Sequence, residues 1–438
     1  MPEELEEKTA KVVFADARES VSRAAAEVFA AFGGAAGLLK SSRDVYIKVN
    51  AVDSRPNTFT SPNVLAETVR IFKAAGARNV YVIENSTQGN FTRLVFGASG
   101  LLAACRETGA IPVYLDETGA TPVFLAGLSS FVDISSFVHE RLVRLRDENL
   151  YVSLPKLKTH SMSTVTLSVK NQFGFVHQAS RIADHNFRLH QKFADIYGVL
   201  RPDFVLVDGL VAVTHGHYPA VANTEKCVVK ADTLMGGTDP LAVDTVAAAF
   251  MGFSLAEVPH LALCSGMGIG ESRLEKIEIE NRALFEERRM QLTPELLDVF
   301  PPDVLILRGA ERCCKEGCRR NTETLLEVLY CDHGGKGGFS ILMGRGIPAK
   351  DVEKLSGRVH IAGSCAMEEW GAILTKRLGR KNVTMNWGCN NLALCIAGLC
   401  RQMKVNPLKM ADYPLVRSLA ALLAARARKS RAIIPPLF

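Results

Sequence analysis

The sequence predicts an α/β protein in two parts, a larger N-terminal part with a mostly parallel sheet and a smaller four-stranded α/β part near the C-terminus. Two observations predict this fold class. Short apolar runs rich in β-branched residues alternate with helical stretches along the 438-residue chain, which is too long for one compact core. Eight of the eleven cysteines fall between positions 313 and 400, which sets the second part apart chemically.

The first βα units can be read from position 45 onward. The run VYIKV (45–49) has the composition of a buried strand, and Ser61 followed by Pro62 is a typical helix start. Gly76 closes that helix. The strand pattern recurs at 79–85, 111–117, 149–156 and 203–209. Alternating strands and helices predict a parallel sheet, whose ligands lie beyond the carboxyl ends of its strands.

A charged stretch at 275–300 reads as a helix and ends at two prolines, which suggests a domain boundary. Four further strands follow, each ending in glycine and preceding a helical segment, at 303–309, 338–344, 358–363 and 382–388. We therefore expect an N-terminal α/β domain at 1–298, divisible into two subdomains, and a cysteine-rich α/β domain at 299–410. A basic helix and tail should follow at 411–438, with the helix docked and one face solvated.

Composition excludes several classes of protein. The formal net charge of +6 suits an anionic small molecule but does not indicate nucleic-acid binding. No apolar run of ~18 residues predicts a transmembrane helix, and the acidic N-terminus lacks the pattern of a signal peptide. We expect a cytoplasmic protein, in which cysteines are core thiols, metal ligands or catalytic groups rather than disulfides. The sequence does not indicate an oligomeric state.

Cys318, Cys365 and Cys389 each follow the carboxyl end of a different predicted strand in the second part. In a parallel sheet these ends share one edge, so the three thiols should converge. Helix starts at that edge should favour the thiolate, the form that binds metal. The spacing matches neither a ferredoxin CxxCxxC run nor paired zinc knuckles, and the prediction is an iron–sulfur cluster, in its simplest form 4Fe–4S.

The fourth ligand of such a cluster stays open at this point. Cys313, Cys314 or Cys395 could supply it, or one iron could stay open as a Lewis acid. Cys331 could be either a ligand or a core thiol. The remaining thiols are expected to fill the core: Cys105, Cys227, Cys264 and Cys400.

A second informative segment, 155–193, crowds lysines and histidines into a short span. A helix opening near Thr159 would place Lys158 and His160 at its positive end, where cations are best explained by an anion or by acid–base work. The candidate catalytic residues are His160, Lys170, Lys158 and Asn171.

Further candidates for substrate binding come from strand ends and glycine-rich loops. Asp239 precedes Pro240 and could be a helix N-cap instead, whereas Asp244 lies one turn inside that helix and cannot cap it. Lys336 lies in the loop HGGKGGF (333–339). The complete set is Asn50, Asp208, His215, Asp239, Asp244 and Lys336.

Several motifs resemble the domain of unknown function 362 family, and the likeness runs from about position 40 to 275. They are KVN (48–50), SPNVL (61–65), PKLKTH (155–160) with KNQFG (170–174), VDG (207–209) and DPLAVD (239–244). That family is often found in iron–sulfur proteins, commonly with an added ferredoxin segment. The resemblance thus implies a cluster, with the cysteine-rich part standing where the ferredoxin segment would be.

The leading hypothesis is an iron–sulfur enzyme that acts on an anionic small molecule in a pocket between the two parts. The reaction would be a reduction or a cluster-assisted elimination, with His160 as acid–base, Lys170 as anion clamp and an electron-donor protein as partner. One alternative rests on the spacing of His160 and Lys170, which resembles nickel-dependent lactate racemase and implies a nucleotide or nickel cofactor at Lys170. The other alternative is a non-catalytic metal carrier or assembly protein.

Overall fold

The computed structural model describes residues 9–39, 44–87, 90–183, 186, 188–389, 391–410 and 414–427, and it confirms the predicted fold class. The strands are β1 (Ala10–Asp16), β2 (Asp44–Val49), β3 (Val80–Glu84), β4 (Ile111–Tyr114), β5 (Ala120–Leu125), β6 (Ser130–Ser135), β7 (Asn149–Leu154), β8 (Lys156–His160), β9 (Thr164–Val165), β10 (Phe204–Val213), β11 (Val228–Gly237), β12 (Ile277–Glu280), β13 (Val304–Arg308), β14 (Phe339–Met343), β15 (Arg358–Ala362) and β16 (Val383–Asn386).

The helices are α1 (Val21–Ala30), α2 (Gly34–Leu38), α3 (Pro62–Ala74), α4 (Thr92–Ala98), α5 (Leu101–Thr108), α6 (Ser136–Val138), α7 (Leu167–Asn171), α8 (Gln178–Ala183), α9 (Leu189–Val199), α10 (Thr224–Cys227), α11 (Pro240–Phe250), α12 (Pro259–Gly266), α13 (Arg282–Arg288), α14 (Arg320–His333), α15 (Ala349–Glu353), α16 (Ser364–Leu378), α17 (Leu392–Met403) and α18 (Leu415–Ala427). Among the described residues, none of these helices is both long enough and apolar enough to cross a membrane.

The large sheet has the strand order β12-β1-β11-β10-β7-β2-β3-β4, with β8 and β9 branching from β10. Neighbours from β10 to β4 are parallel, and β11 runs antiparallel to both β1 and β10. Apolar helix faces cover both sides, with α1 and α3 on one side and α11 and α12 on the other. The sheet is thus mostly parallel, and β11 is the principal exception.

The segment that begins at Lys156 is a strand, not the helix predicted from Thr159. After Pro155 interrupts β7, the chain continues as β8 and pairs with β10, then turns back as β9. Helix α7 begins only at Leu167. The β-branched threonines and valines of this run favour extended backbone. The helix-dipole argument for Lys158 and His160 therefore does not hold.

The second sheet is fully parallel in the order β13-β14-β15-β16. Helices α14 and α17 pack on one face, and α15 and α16 pack on the other. The carboxyl ends of these strands share one edge, as predicted. Where a long helix was predicted at 275–300, the chain instead forms β12, the short helix α13 and an irregular segment that leads to β13.

Two ion pairs are among the contacts that join the second sheet's helices to the rest of the chain. Arg55 pairs with Asp332 near the end of α14, with Nη1 and Oδ2 2.8 Å apart. Arg320 at the start of α14 pairs with Glu295 of the connecting segment. The predicted C-terminal helix is α18, whose buried Ala425 packs against Phe91 beside α4.

Candidate functional site

A cleft opens at the carboxyl edge of the large sheet, where β2, β3 and β8 end beside α7. It encloses about 690 Å³, open solvent at its mouth included, within the range of small-molecule sites. Two lining residues come from the second part of the chain, Asn321 on α14 and Leu392 on α17. The full lining is Lys48, Asn50, Val52, Glu84, Asn85, Thr87, His160, Met162, Lys170, Asn171, Phe173, Gly174, Arg181, His217, Asn321 and Leu392.

Lys48 and Glu84 form a buried ion pair at the floor of the cleft, with Nζ and Oε1 2.5 Å apart. The carboxylate also accepts the backbone N–H groups of Ala51 and Asn85, both at 2.7 Å. Burial lowers the pKa of Lys48, and the charge of Glu84 opposes that effect. A buried pair with this many hydrogen bonds fixes the ends of β2 and β3 relative to each other.

Asn171 ties the last turn of α7 to the same floor. Its Oδ1 accepts from Lys48 Nζ and from Asn50 Nδ2, each at 3.2 Å. Its Nδ2 donates to the Lys48 carbonyl and to Ser153 Oγ. Asn50 Oδ1, by contrast, is buried and accepts no hydrogen bond. Because a buried acceptor is costly to leave unpaired, Asn50 is suited to a ligand's donor group.

His160 ends β8 and is 6% exposed. Its Nδ1 accepts the backbone N–H of Met162 at 3.1 Å. The proton of the neutral ring is therefore on Nε2. The ring stacks on His217, with centroids 3.6 Å apart and planes 2° apart.

Lys170 is half-buried in the wall of the cleft, with its Nζ 5.6 Å from the centroid of the Phe193 ring. Burial lowers the pKa of Lys170 to about 7, and the nearby positive charges of Lys158, Arg181 and Lys48 lower it further. An anion in the cleft would relieve that repulsion and favour the ammonium form.

Arg181 contributes charge to the cleft while its guanidinium holds the surrounding loops. It donates to the carbonyls of Val176 and Gly174 at 2.9 Å and of Asn85 at 3.0 Å. Its donors are thus largely used by backbone. This geometry makes Arg181 a structural cation of the cleft, as is Lys48, whose Nζ donates to Val49, Glu84 and Asn171, and leaves ligand contact to Lys170.

Two predicted site residues lie beneath the cleft instead of in it. Lys158 is fully buried, and its Nζ donates to the Thr58 carbonyl at 2.6 Å. Asp208 is also fully buried, pairs with Lys156 at 3.0 Å and accepts the Ser61 N–H at 2.6 Å. Both support the loops around the site and do not face a substrate.

Both aspartates of the DPLAVD motif are structural. Asp239 caps α11, where its Oδ1 accepts the N–H groups of Leu241 and Ala242. Asp244 caps a different helix, because its carboxylate accepts the N–H groups of Ser168 and Val169 at the start of α7. Neither residue contacts the cleft, so their assignment to substrate binding is corrected.

The last two substrate-binding candidates lie away from the cleft. His215 Nδ1 lies 3.0 Å from the Glu295 carbonyl, so the ring holds the connecting segment. Lys336 is exposed and precedes β14, which places it at the amino edge of the second sheet, opposite the cysteines. The histidine His185, which belongs to the same segment as Lys170, lies outside the described residues.

Sequence reasoning missed Lys48, Glu84, Arg181 and His217. Lys48 and Glu84 each lie at the end of a predicted strand. The rule that ligands bind beyond the carboxyl ends of parallel strands, which we used for the second sheet, would have identified them here as well. His217 shares its loop with His215, and only the folded geometry reveals which of the two faces the cleft. The carbonyl contacts of Arg181 are made across loops and leave no sequence pattern.

Several cysteines lie at the carboxyl edge of the second sheet. Cys318 lies against Gly363, where an added Cβ would lie 2.9 Å from the Cys318 sulfur. Cys365 is the second residue of α16, and Ser364, the first, accepts the backbone N–H of Gly388 at 2.9 Å. Cys389 follows Gly388 directly in the chain and is exposed. Three βα turns therefore meet at one point.

The thiols at this edge interact electrostatically with one another. Burial raises the pKa of Cys318 to about 12, and Cys313, Cys389, Cys365 and Cys314 raise it further. Burial, and then Cys365 and Cys314, also raise the pKa of Cys389. The expectation that helix starts would lower these pKa values is not met. Ligation would deprotonate the thiols, since a coordinated cysteine binds as the thiolate.

The spacing at this edge bears on which metal group fits. Among the described residues, no three His, Cys, Asp or Glu side chains are grouped to hold a single metal ion. A tetrahedral zinc site needs sulfurs roughly 3.8 Å apart. A cluster of several irons takes ligands set farther apart, and thiolates are its usual ligands. The donor type at this edge, cysteine thiols from three turns, is one that an iron–sulfur cluster takes.

The cysteine edge borders the cleft. Asn186 from the N-terminal part donates to the Cys389 carbonyl at 3.0 Å. The two lining residues from the second sheet, Asn321 and Leu392, each follow a cysteine by three positions. His190 approaches Glu316 in the cysteine-bearing loop at 3.9 Å. The two predicted centres are therefore neighbours in the fold.

The other cysteines lie apart from this edge. The predicted core thiols Cys105, Cys227, Cys264 and Cys400 are all buried, which confirms that prediction. Cys331 is half-buried and lies 3.5 Å from Asn223 Nδ2, at the contact between α14 and the N-terminal part.

Fold and site together define an α/β protein with a cationic cleft beside a cysteine-bearing sheet edge. Residues 45–249 match the family described as "Domain of unknown function (DUF362)". The matched segment contains all the strands and helices that line the N-terminal side of the cleft.

The chain is also 25% identical over 254 residues to a thylakoid-associated protein of Synechocystis sp., covering 56% of this chain and 74% of that protein. Among solved structures, it resembles the lactate racemase apoprotein from Thermoanaerobacterium thermosaccharolyticum with a TM-score of 0.38 and 12% identity, over 97% of this chain and 93% of that one. A likeness at that TM-score carries no argument about function.

Proposed function

We propose that this protein is an iron–sulfur enzyme that reduces an anionic small molecule in the cleft between its two parts. One observation carries the proposal: the cysteine edge and the cationic cleft adjoin, with Asn321 and Leu392 contributing to the cleft just past two of the cysteines. Neither feature alone would distinguish a metal carrier from an enzyme. Their adjacency supports a redox group that acts on a substrate bound in the cleft.

The cleft's charges support an anionic substrate. Lys48, Lys170 and Arg181 outnumber Glu84, the acidic side chain in the lining, which already pairs with Lys48. Among the described residues, no carboxylate forms an ion pair with Lys170, and Glu84 is the acidic group whose charge acts on it. A carboxylate or phosphate group would therefore bind at Lys170.

The roles of the neighbouring side chains follow from their hydrogen bonds. His160 in its neutral form carries a proton on Nε2 and can donate it to a substrate atom that gains electrons. Asn50 Oδ1 would accept a hydrogen bond from the substrate. Asn171 orients Asn50 and Lys48 without taking a proton itself.

A 4Fe–4S cluster held by Cys318, Cys365 and Cys389 would supply single electrons when bound. The chain's own contribution is to hold the thiolates at one edge and to keep the substrate against that edge. An electron-donor protein in a reducing compartment such as the cytoplasm would complete the cycle.

The proposal is tested by anaerobic purification with iron and sulfide analysis and a visible spectrum. The expected result is a brown protein with bound iron and sulfide that bleaches on reduction by dithionite. A colourless, iron-free protein after anaerobic reconstitution would overturn it. A His160→Ala variant that keeps its iron but loses dithionite-dependent substrate reduction separates an enzyme from a metal carrier.

A second candidate is a covalent cofactor on Lys170. It is favoured by the lowered pKa of Lys170, because a neutral amine is the reactive form. Intact-protein mass spectrometry discriminates the two, since an adduct lost in Lys170→Ala supports this candidate and an unmodified mass opposes it.

A further inference from the structure

Cys313 and Cys314 are adjacent but differ in their surroundings. The backbone at Cys314 is extended, with φ −68° and ψ 127°. Consecutive side chains on extended backbone point to opposite sides. Cys313 packs against the core beneath α14 and α17, and its sulfur-bearing side chain lies under Gly344 at the end of β14. Cys314 is therefore directed away from that core.

The charges that act on each thiol agree with this difference. Cys314 interacts with Cys318, Cys389 and the side chain of Arg312. Cys313 is surrounded by Arg319, Glu323 and Arg308 and also acts on Cys314 and Cys318, whereas Cys314 also acts on Cys389. Cys314 thus belongs to the group at the sheet edge.

Cys395 lies elsewhere. It is 1% exposed, lies 3.6 Å from Thr322 Oγ1 and is 4.0 Å from His360 Nε2 in the middle of β15. Its cysteine neighbour is Cys400, also in the core. Cys395 is therefore below the edge, inside the apolar layer between α17 and the sheet.

We propose that Cys314 is the fourth ligand of the cluster, joining Cys318, Cys365 and Cys389. The inference rests on the proposed function. Cys314 and Cys318 share one tight turn, in which the Gly317 N–H donates to the Cys314 carbonyl at 3.3 Å. The other two ligands come from the turns after β15 and β16. Each thiol releases its proton to solvent as its sulfur binds iron.

Four thiolate ligands would restrict the reactions that a cluster at this site can support. A cluster with every iron bound by a protein sulfur has no open position for a substrate oxygen. It passes electrons and does not act as a Lewis acid. Between the two reactions predicted from the sequence, reduction is then the one this site performs, and cluster-assisted elimination is not.

Arg312 is a positioning residue in this arrangement. The charge of its guanidinium acts first on Cys314 and also on Cys365 and Cys389. Its backbone pairs with that of Arg345 across the end of the sheet, which fixes the chain just before Cys314. A cation beside a ligating sulfur stabilises the more negative, reduced cluster and raises its reduction potential.

The test compares Cys314→Ser with Cys313→Ser and Cys395→Ala in the full chain, each reconstituted anaerobically with iron and sulfide. We expect Cys314→Ser to lose one iron per cluster and to show the EPR signal of a three-iron cluster when oxidised. Cys313→Ser and Cys395→Ala should keep the wild-type iron content and spectrum. Circular dichroism of each variant checks that it is folded.

The outcomes separate the two proposals. A wild-type protein without iron contradicts the proposed function itself. A wild-type cluster that is unchanged in Cys314→Ser but lost in Cys313→Ser or Cys395→Ala overturns the assignment of Cys314. A cluster unchanged in all three variants would mean that one iron has no cysteine ligand. That result would overturn the assignment of Cys314 and favour a Lewis-acid role for the cluster. A supporting readout is the potential of Arg312→Gln, which should be lower than that of the wild type.

Discussion

The Asp244 carboxylate accepts the backbone N–H of Val169 at 2.6 Å and that of Ser168 at 2.8 Å. This contact fastens α11 to the start of α7, directly before Lys170 and Asn171. Leu167 at the same helix start has φ +32°, a backbone conformation that side-chain-bearing residues rarely adopt. The buried carboxylate therefore holds a strained turn in place, and that turn presents two cleft residues.

Replacing Asp244 with alanine should destabilise the fold and loosen the cleft. The change leaves two buried N–H groups without an acceptor, at a cost of about 1–3 kcal/mol for each unsatisfied group. Urea denaturation should show a lower free energy of unfolding, and anion binding should weaken in parallel. Asp244→Asn keeps one acceptor and the shape, so it should recover part of the loss. An unchanged urea midpoint for the alanine variant would contradict this account of Asp244.

Anion binding should depend on the protonation of Lys170. Its pKa, lowered by burial and then by neighbouring cations, is about 7. A lysine with a lowered pKa is charged below that pH and neutral above it, so affinity for an anion should fall roughly tenfold per pH unit above about 7. Calorimetry with malate and inorganic phosphate across this range measures the effect.

Lys170→Arg is the informative variant for this pH dependence, because a guanidinium stays charged throughout the range. It should bind the anion with little change in affinity above neutral pH. Lys336→Gln, at the opposite edge of the second sheet, is the control and should titrate like the wild type. The same decline with pH in Lys170→Arg would exclude Lys170 as the titrating clamp.

The sequence was sufficient for the strands of the second sheet, because each strand there is a short apolar run ending in glycine. It was insufficient to predict the backbone conformation at Lys158 and His160. We expected a helix there, but the run is rich in β-branched residues and forms a strand that pairs with β10. The sequence also could not assign Asp244, whose partner N–H groups lie 75 and 76 residues away in sequence. Tertiary hydrogen bonds of this kind have no local pattern.

Gly363 and Gly379 flank α16 and offer a matched pair of substitutions. Both have nearly the same backbone conformation, φ +84° and ψ 156° at Gly363 and φ +83° and ψ 148° at Gly379. Alanine at either position carries backbone strain of about 1–3 kcal/mol. Only at Gly363 would the added Cβ also press on the Cys318 side chain, 2.9 Å away.

We therefore expect Gly363→Ala and Gly379→Ala to lose similar stability in thermal unfolding of the metal-free protein. After anaerobic reconstitution, Gly363→Ala should bind less iron and Gly379→Ala should bind the wild-type amount. Equal iron content in the two variants would mean that Cys318 is not held where a cluster needs it.

The Arg55–Asp332 pair should control how firmly the second sheet docks on the first part. Asp332 also accepts the N–H groups of Val221 and Ala222 at 3.0 and 2.9 Å, and Arg55 lies over the Tyr218 ring at 4.2 Å. Since the side chains of Arg55 and Asp332 are only 10% and 8% exposed, Asp332→Ala leaves a buried cation and should cost about 3–5 kcal/mol.

Fluorescence and circular dichroism together can distinguish the unfolding of the second part from that of the whole chain. Both tryptophans of the chain, Trp370 and Trp387, belong to the second sheet's part, so fluorescence follows its unfolding while circular dichroism follows the whole chain. In Asp332→Ala the fluorescence midpoint in urea should move below the circular dichroism midpoint, because the second part loses its anchor on the loop beside His217. Glu140→Ala breaks an exposed pair with Arg144 and should leave both midpoints unchanged. Coincident, unshifted transitions in Asp332→Ala would show that the connecting segment and Arg320, and not this pair, hold the two parts together.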